Sequence, residues 1–191
     1  MAVDSVKLLQ RVVDETTQVV NDVSDDQMAN PSPCEGWTVR DVLNHITGGA
    51  TMFALSVEQG KVPDDEIGRL MGGDNVGADP LGAWKVAAAH ALTAFEGPDA
   101  METIVTLPFG EMPGRVALSI AVFDVLTHAV DIAQSTGQQV QDLDLVETAL
   151  SMGHQMVTPD LRQPGVFDPE QPVASDAPAE IRLLAFAGRR V

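Results

Sequence analysis

The sequence predicts an all-α protein in which four longer helices, joined by unequal connections, form a bundle with at least one crossover. Three observations carry this. Apolar residues recur at helical spacing through four long stretches. Two of those stretches begin at side chains that cap helices well, Thr38 and Asp79. Only residues 103 to 118, TIVTLPFGEMPGRVAL, read as extended, with β-branched or apolar runs on either side of a Pro/Gly turn.

The first helix, roughly Val3 to Val23, places Val6, Leu9, Val13, Val20 and Val23 on one side and Asp, Glu, Gln and Lys on the other. The polar run SDDQ and the turn-rich NPSP end it. In the second helix Thr38 is the N-cap and Asp41 the third residue of a capping box, with Trp37 and Val42 placed as a hydrophobic staple. Val42, His45, Ile46, Gly49, Met52 and Phe53 then share one side, and Gly60 ends the helix. Gly48 and Gly49 each cost about 1 kcal/mol relative to Ala inside a helix, which points to close packing or a local bend.

Residues 61 to 78, rich in Gly and Asp, read as a long loop with one short helical turn. Asp79 caps the third helix, with Pro80 at its first position and Leu81, Trp84, Ala88, Leu92 and Phe95 as its buried stripe; Gly97-Pro98 stops it. The fourth helix runs from about Val116 to Thr136 and closes at Gly137. A fifth, Asp142 to Val157, is amphipathic through Leu145, Ala149, Met152 and Met156. Thr158-Pro159 opens a turn, and a short helix capped by Asp176 buries Leu183, Leu184 and Phe186. One domain over residues 1–191 is expected, with a bundle core of about 1–157 and a C-terminal extension of 158–191.

Composition narrows the function. The chain carries 28 acidic against 11 basic residues, a net charge of −17. A field of that sign disfavours nucleic-acid binding and docking on anionic membranes, and its plainest reading is solubility; a small-molecule substrate is the expected partner. No apolar stretch approaches the about 18 residues a membrane span needs. The start MAVDSVKLLQ lacks a basic, apolar leader, so a cytoplasmic location is expected. One cysteine, Cys34, rules out an internal disulfide; it reads either as a small buried apolar residue or as a thiol near a cavity. No nucleophile elbow, phosphate loop or dinucleotide fingerprint is present.

The chemistry sits in two helices. Asp124, His128 and Asp131, spaced by four and three, project from one face of the fourth helix among Ala121, Val125 and Ile132. His45 stands on the apolar face of the second helix, where an imidazole needs a partner. Taken together, His45, Asp124 and His128 offer two imidazoles and a carboxylate, the complement of a catalytic-type divalent metal site with a position left open. Taken separately, Asp124–His128 is a helix-face hydrogen bond and His45 a satisfied core residue. Asp131 has three readings: an acceptor that orients His128, a general base facing the cavity, or the partner of Arg40 or Arg115. His90 and His154 read as surface or packing residues.

Pro33, Cys34, Gly36, Trp37, Val39, Arg40, Asp41 and His45 match a motif that resembles the opening signature of the DinB-like metal-binding superfamily. The likeness is greatest to the branch of mycothiol-dependent maleylpyruvate isomerase. Asp124, His128, Asp131, Ala133 and Gly137 match that branch's second motif, and the tail FDPEQPVASDAPAEIRLLAFAGR resembles its short members. The resemblance implies an up-down-down-up four-helix bundle, to which the residue pattern adds a short extended crossover and additional C-terminal helices. It implies a divalent metal, usually zinc or nickel, on His45, Asp124 and His128; Asp131 and Arg40 beside them are the candidate catalytic residues. It also implies a low-molecular-weight thiol such as mycothiol as cosubstrate, an isomerase or transferase activity, and a possible homodimer. Asp124 stands where some relatives carry Glu. The alternatives are a non-catalytic or metal-free dimeric bundle and a metal-dependent hydrolase.

Overall fold

The computed structural model describes residues 2–162 and 167–191. Its helices are α1 (Ala2–Asn21), α2 (Val39–Gln59), α3 (Asp64–Gly72), α4 (Pro80–Phe95), α5 (Gly114–Thr136), α6 (Leu143–Met156) and α7 (Ala179–Phe186). A two-stranded antiparallel hairpin, β1 (Ile104–Leu107) and β2 (Gly110–Pro113), joins α4 to α5, with Leu107 opposite Gly110. The protein is thus all-α apart from the expected extended crossover.

The bundle consists of α1, α2, α4 and α5. Around it, α1 packs on α4 and α5, and α2 packs on the same two, which puts α1 and α2 on a diagonal. Directions follow from cross-links at the helix ends. Gln138, just past α5, donates to the Val19 carbonyl near the end of α1, so α1 and α5 run parallel. Trp84, early in α4, donates to Thr17, late in α1, so these two are antiparallel. His90 of α4 meets Glu58 at the end of α2, so α2 and α4 run parallel. The topology is up-down-down-up, and the α2–α4 connection must travel back along the bundle.

That return path corrects the sequence reading. Residues 64–72, expected within a loop, form α3. Asp64, Asp65 and Glu66 in its first turn and Arg69 in its last complement the helix dipole, and Leu70 is buried. Gly48 explains the seat: a Cβ there would lie 2.0 Å from the Leu70 carbonyl oxygen, so only a glycine lets α3 lie on α2. Close packing, and not a bend, is the reason for this glycine. Asn75 then pins the loop by donating to the Asn44 and Leu70 carbonyls, while the Asn44 side chain accepts from the Asn75 and Val76 amides.

The capping expectations hold at α2 and α4. Thr38 and Asp41 form the reciprocal box, and Asp79 accepts from Gly82. Asp176 does not cap α7: the helix begins beyond it, with Pro178 in the cap position and its carbonyl accepting from Arg182. The reason is that Pro178 fixes its own φ and directs the chain into the helix one residue later.

Helix α5 is the hub, packed against α1, α2, α6, α7 and both strands. Contrary to the expectation of no long apolar stretch, it is by length and composition apolar enough to cross a membrane. Its apolarity on every side matches burial inside the protein, and most of it is covered by the other elements. Gly48→Ala should therefore destabilise the protein by about 1–3 kcal/mol through overpacking, whereas Gly49→Ala, whose Cβ would meet its nearest neighbour at 3.9 Å, should be tolerated. Thermal unfolding of the two variants checks the contrast.

Candidate metal centre

The site lies where the loop before α2, the start of α2, the middle of α5 and the C-terminal tail converge. The loop is tied to the end of α5: Gln27 donates to the Thr136 carbonyl and Asn30 to that of Ser135, satisfying orphan carbonyls of the helix end. Within it, the Trp37 amide donates to the Cys34 carbonyl across a β-turn whose third residue, Gly36, has φ +80°. Positive φ at that position is what type II turns require of glycine. The turn sets Cys34 and Trp37 side by side at the mouth of the cavity.

Three donor atoms converge beneath them. His45 Nε2 is 3.4 Å and His128 Nε2 3.7 Å from Asp124 Oδ1, and one donor atom from each residue lies within 4.8 Å of the others. The His45–Asp124 contact is a long hydrogen bond, and its length also lies within the about 3.3–3.6 Å that separates ligands of a tetrahedral ion. The sequence-predicted trio is therefore brought together across α2 and α5. Trp37 stacks on His128 at 5.8 Å and 12° and tilts against His45 at 5.1 Å, covering both imidazoles. The ring expected to staple the helix start thus lies over the imidazoles.

Asp131 has no solvent exposure, and both its oxygens are engaged. His128 Nδ1 lies 2.9 Å from Oδ2; Arg189 Nε is 3.2 Å from Oδ1 and Arg189 Nη2 2.9 Å from Oδ2. An ionised carboxylate only accepts, so Nδ1 carries the proton and Nε2 presents its lone pair to the centre. This geometry matches the orienting role and leaves neither oxygen open to the cavity, as a base would need. The alternative partners are engaged elsewhere: Arg40 pairs with Asp74 and donates to the Gly77 carbonyl, and Arg115 pairs with Glu102. Both face the ends of exposed loops, out of reach of a buried carboxylate. Arg40 lines a neighbouring groove with Trp37 and His45.

Burial and charge tune these groups in different directions. Burial would depress the His45 imidazole, but Asp124 beside it leaves its pKa raised. Burial would lift Asp124, but His45, then His128, hold it well below the usual carboxylate range. For His128 burial wins and lowers the pKa, which favours the neutral imidazole a metal requires. Asp131 is held low against its burial by His128 and Arg189. Cys34 is pushed up to about 11 by burial. Cys34, His128 and Asp131 also place donor atoms within 4.8 Å of one another, but Asp131 is already saturated in that set.

The cavity above the trio measures about 580 Å³, within the range of small-ligand sites. Phe123 and Phe167 supply apolar wall, and Glu35, Asp168 and Arg189 the polar rim. Sequence reasoning missed Arg189, 58 residues from its partner. A signal existed. Gly188, φ +88°, sits just past α7; its amide donates to the Ala185 carbonyl and that of Arg189 to Leu184, which is a Schellman cap that fixes where Arg189 emerges. Of the other histidines, His90 bonds Glu58 and His154 packs on the Phe186 ring, in line with their reading as surface and packing residues.

Fold and site define a helical-bundle protein that gathers two imidazoles and a carboxylate in one pocket. Residues 9–133 match the family described as the mycothiol maleylpyruvate isomerase N-terminal domain, and the chain belongs to that family. Two uncharacterized proteins, from two strains of Mycobacterium tuberculosis, are each 34% identical over 188 residues, spanning 95% of this chain and 96% of theirs. Among solved structures, a His-to-Ala mutant of the mycothiol-dependent maleylpyruvate isomerase superposes with a TM-score of 0.67 at 16% identity, over 80% of this chain and 68% of that one. A second crystal structure of that isomerase gives 0.59 at 17% identity over the same shares. At these identities the likeness to the isomerase is one of fold.

Asp131→Ala should strand the Arg189 guanidinium and destabilise the protein by about 3–5 kcal/mol. Denaturant unfolding at constant m-value measures this, and a loss below about 1 kcal/mol would show that the ion pair is not a structural requirement.

Proposed function

We propose that this protein is a divalent-metal enzyme of the thiol-dependent isomerase or transferase class. In this reading His45, Asp124 and His128 hold the ion, and a small thiol of the mycothiol type is the cosubstrate. The observation that carries the reading is the convergence of His45 Nε2, Asp124 Oδ1 and His128 Nε2 at the wall of one cavity. Membership of a family named for a mycothiol-dependent isomerase supports the thiol. Zinc and nickel both suit two imidazoles and a carboxylate.

When bound, such an ion supplies Lewis acidity and lowers the pKa of a thiol at the same centre. The chain's own residues do the rest. Asp131 fixes the tautomer of His128, so its Nε2 points at the centre without rearrangement. Trp37 packs against both imidazoles and forms one side of the site. Phe123 and Phe167 line the cavity where the apolar part of a substrate packs, and Arg189, its guanidinium paired with Asp131, faces the same cavity. Arg40 acts at one remove, holding residues 74–77 beside the groove that reaches His45.

Metal analysis after purification without chelator should find about one divalent ion per chain, lost in His45→Ala. Adding mycothiol at about 100 times its Kd should then stabilise the loaded protein by about 2.7 kcal/mol, read as a rise in Tm. Wild-type protein that takes up no divalent ion on reconstitution would overturn the proposal. Metal uptake without any response to thiol would shift the assignment to metal-dependent hydrolysis, and collapse of the fold on chelation to a structural ion.

A further inference from the structure

The C-terminal tail looks like an appendage to the bundle, but it closes the candidate site. Phe167, Asp168 and Arg189 all line the cavity. The tail is built to hold Arg189 in one place. The amide of Gln171 donates to the Ala185 carbonyl, so the incoming segment lies along the end of α7. Arg162 donates to the carbonyls of Asp168 and Phe186 and lies over the Phe186 ring. Gly188 takes φ +88°, and a Cβ there would lie 2.7 Å from the Asp168 side chain, so the turn and the segment beside it fit only around a glycine. The Schellman cap fixes the backbone of Arg189, and its Nη1 donates to the Ala187 carbonyl. What is left of the guanidinium grips both oxygens of Asp131, which in turn holds His128 Nδ1.

We propose that Arg189 is a positioning residue for the metal centre: through Asp131 it sets the ring plane and tautomer of His128, so that the last turn of the chain is part of the site. The inference rests on the metal-ligand reading of His45, Asp124 and His128, and deepens it. A bidentate guanidinium–carboxylate pair leaves Asp131 a single orientation, whereas a carboxylate held only by His128 would turn about its side-chain bonds. Outer partners of this kind carry about 10–100-fold in metal affinity. Because binding is reciprocal, an ion at His128 also holds the tail in place.

The test is zinc affinity, measured by competition with a chromophoric chelator, in wild type, Arg189→Met, Arg189→Lys and Asp131→Asn. Arg189→Met keeps the stem's length and removes the fork; it should weaken zinc by about 10-fold or more, with Arg189→Lys intermediate. Combined with Asp131→Asn it should add little further loss, because the two act in series. Arg190→Ala, an exposed neighbour, should bind as wild type does. Wild-type affinity in a folded Arg189→Met overturns the inference while leaving the metal reading intact; absence of zinc binding in wild type overturns both. Hydrogen exchange in the wild-type protein decides the matter even where the variant does not fold. Zinc should slow exchange at the amides of Ala187, Gly188 and Arg189, and equal rates with and without zinc overturn the coupling.

Discussion

The end of the molecule that holds the candidate site is organised around one constraint: the fully buried carboxylate of Asp131. An ionised carboxylate removed from water is costly unless other charges and donors surround it. Two partners answer that cost here. One is local, His128 one turn away on the same helix; the other, Arg189, comes from almost the last residue of the chain. Meeting the second demand shapes the tail. The extended segment at 167–171, the glycine turn at 188 and the pinning by Arg162 all serve to deliver one guanidinium to one carboxylate. The imidazole needed on the cavity side is oriented as a by-product of the charge needed on the core side.

Much of this was legible in the sequence because it is local. Thr38 with Asp41, Asp79 with Pro80, and Gly137 each mark a boundary through interactions spanning a few residues, and each boundary stands where expected to within a residue or two. The face carrying Asp124, His128 and Asp131 was readable from spacing alone, since four and three residues return to one side of a helix. Spacing could not supply the facing of α2 and α5, which is a property of how the bundle closes; the motifs of the resembled family supplied that expectation.

The misreadings are also physical. Helix α3 hid behind Gly68, Gly72 and Gly73, which lower local helix propensity; what makes it helical is tertiary, the seat on Gly48 together with burial of Leu70. Arg189 hid for the opposite reason. Its surroundings, Gly188 and Arg190, look like a polar chain end, and nothing within reach in sequence requires a cation. Its partner is 58 residues away, and only the packing of α7 on α5 brings the two together. Asp131 itself was the clue: a carboxylate on the apolar side of a buried helix demands a cation from somewhere, and the chain has only 11 basic residues to draw on.

The placement of the aromatic rings has an optical consequence. The chain contains two tryptophans and no tyrosine. Trp84 is sealed in the core with its indole nitrogen bonded to Thr17, while Trp37 stacks on the His128 ring at 5.8 Å and 12°. An imidazole that gains a proton or a paramagnetic ion drains the excited state of an indole stacked on it far more than that of a buried indole bonded elsewhere. Near-ultraviolet emission from this protein therefore splits into a reporter and its own internal standard, and the donor cluster can be watched by light without attaching any label.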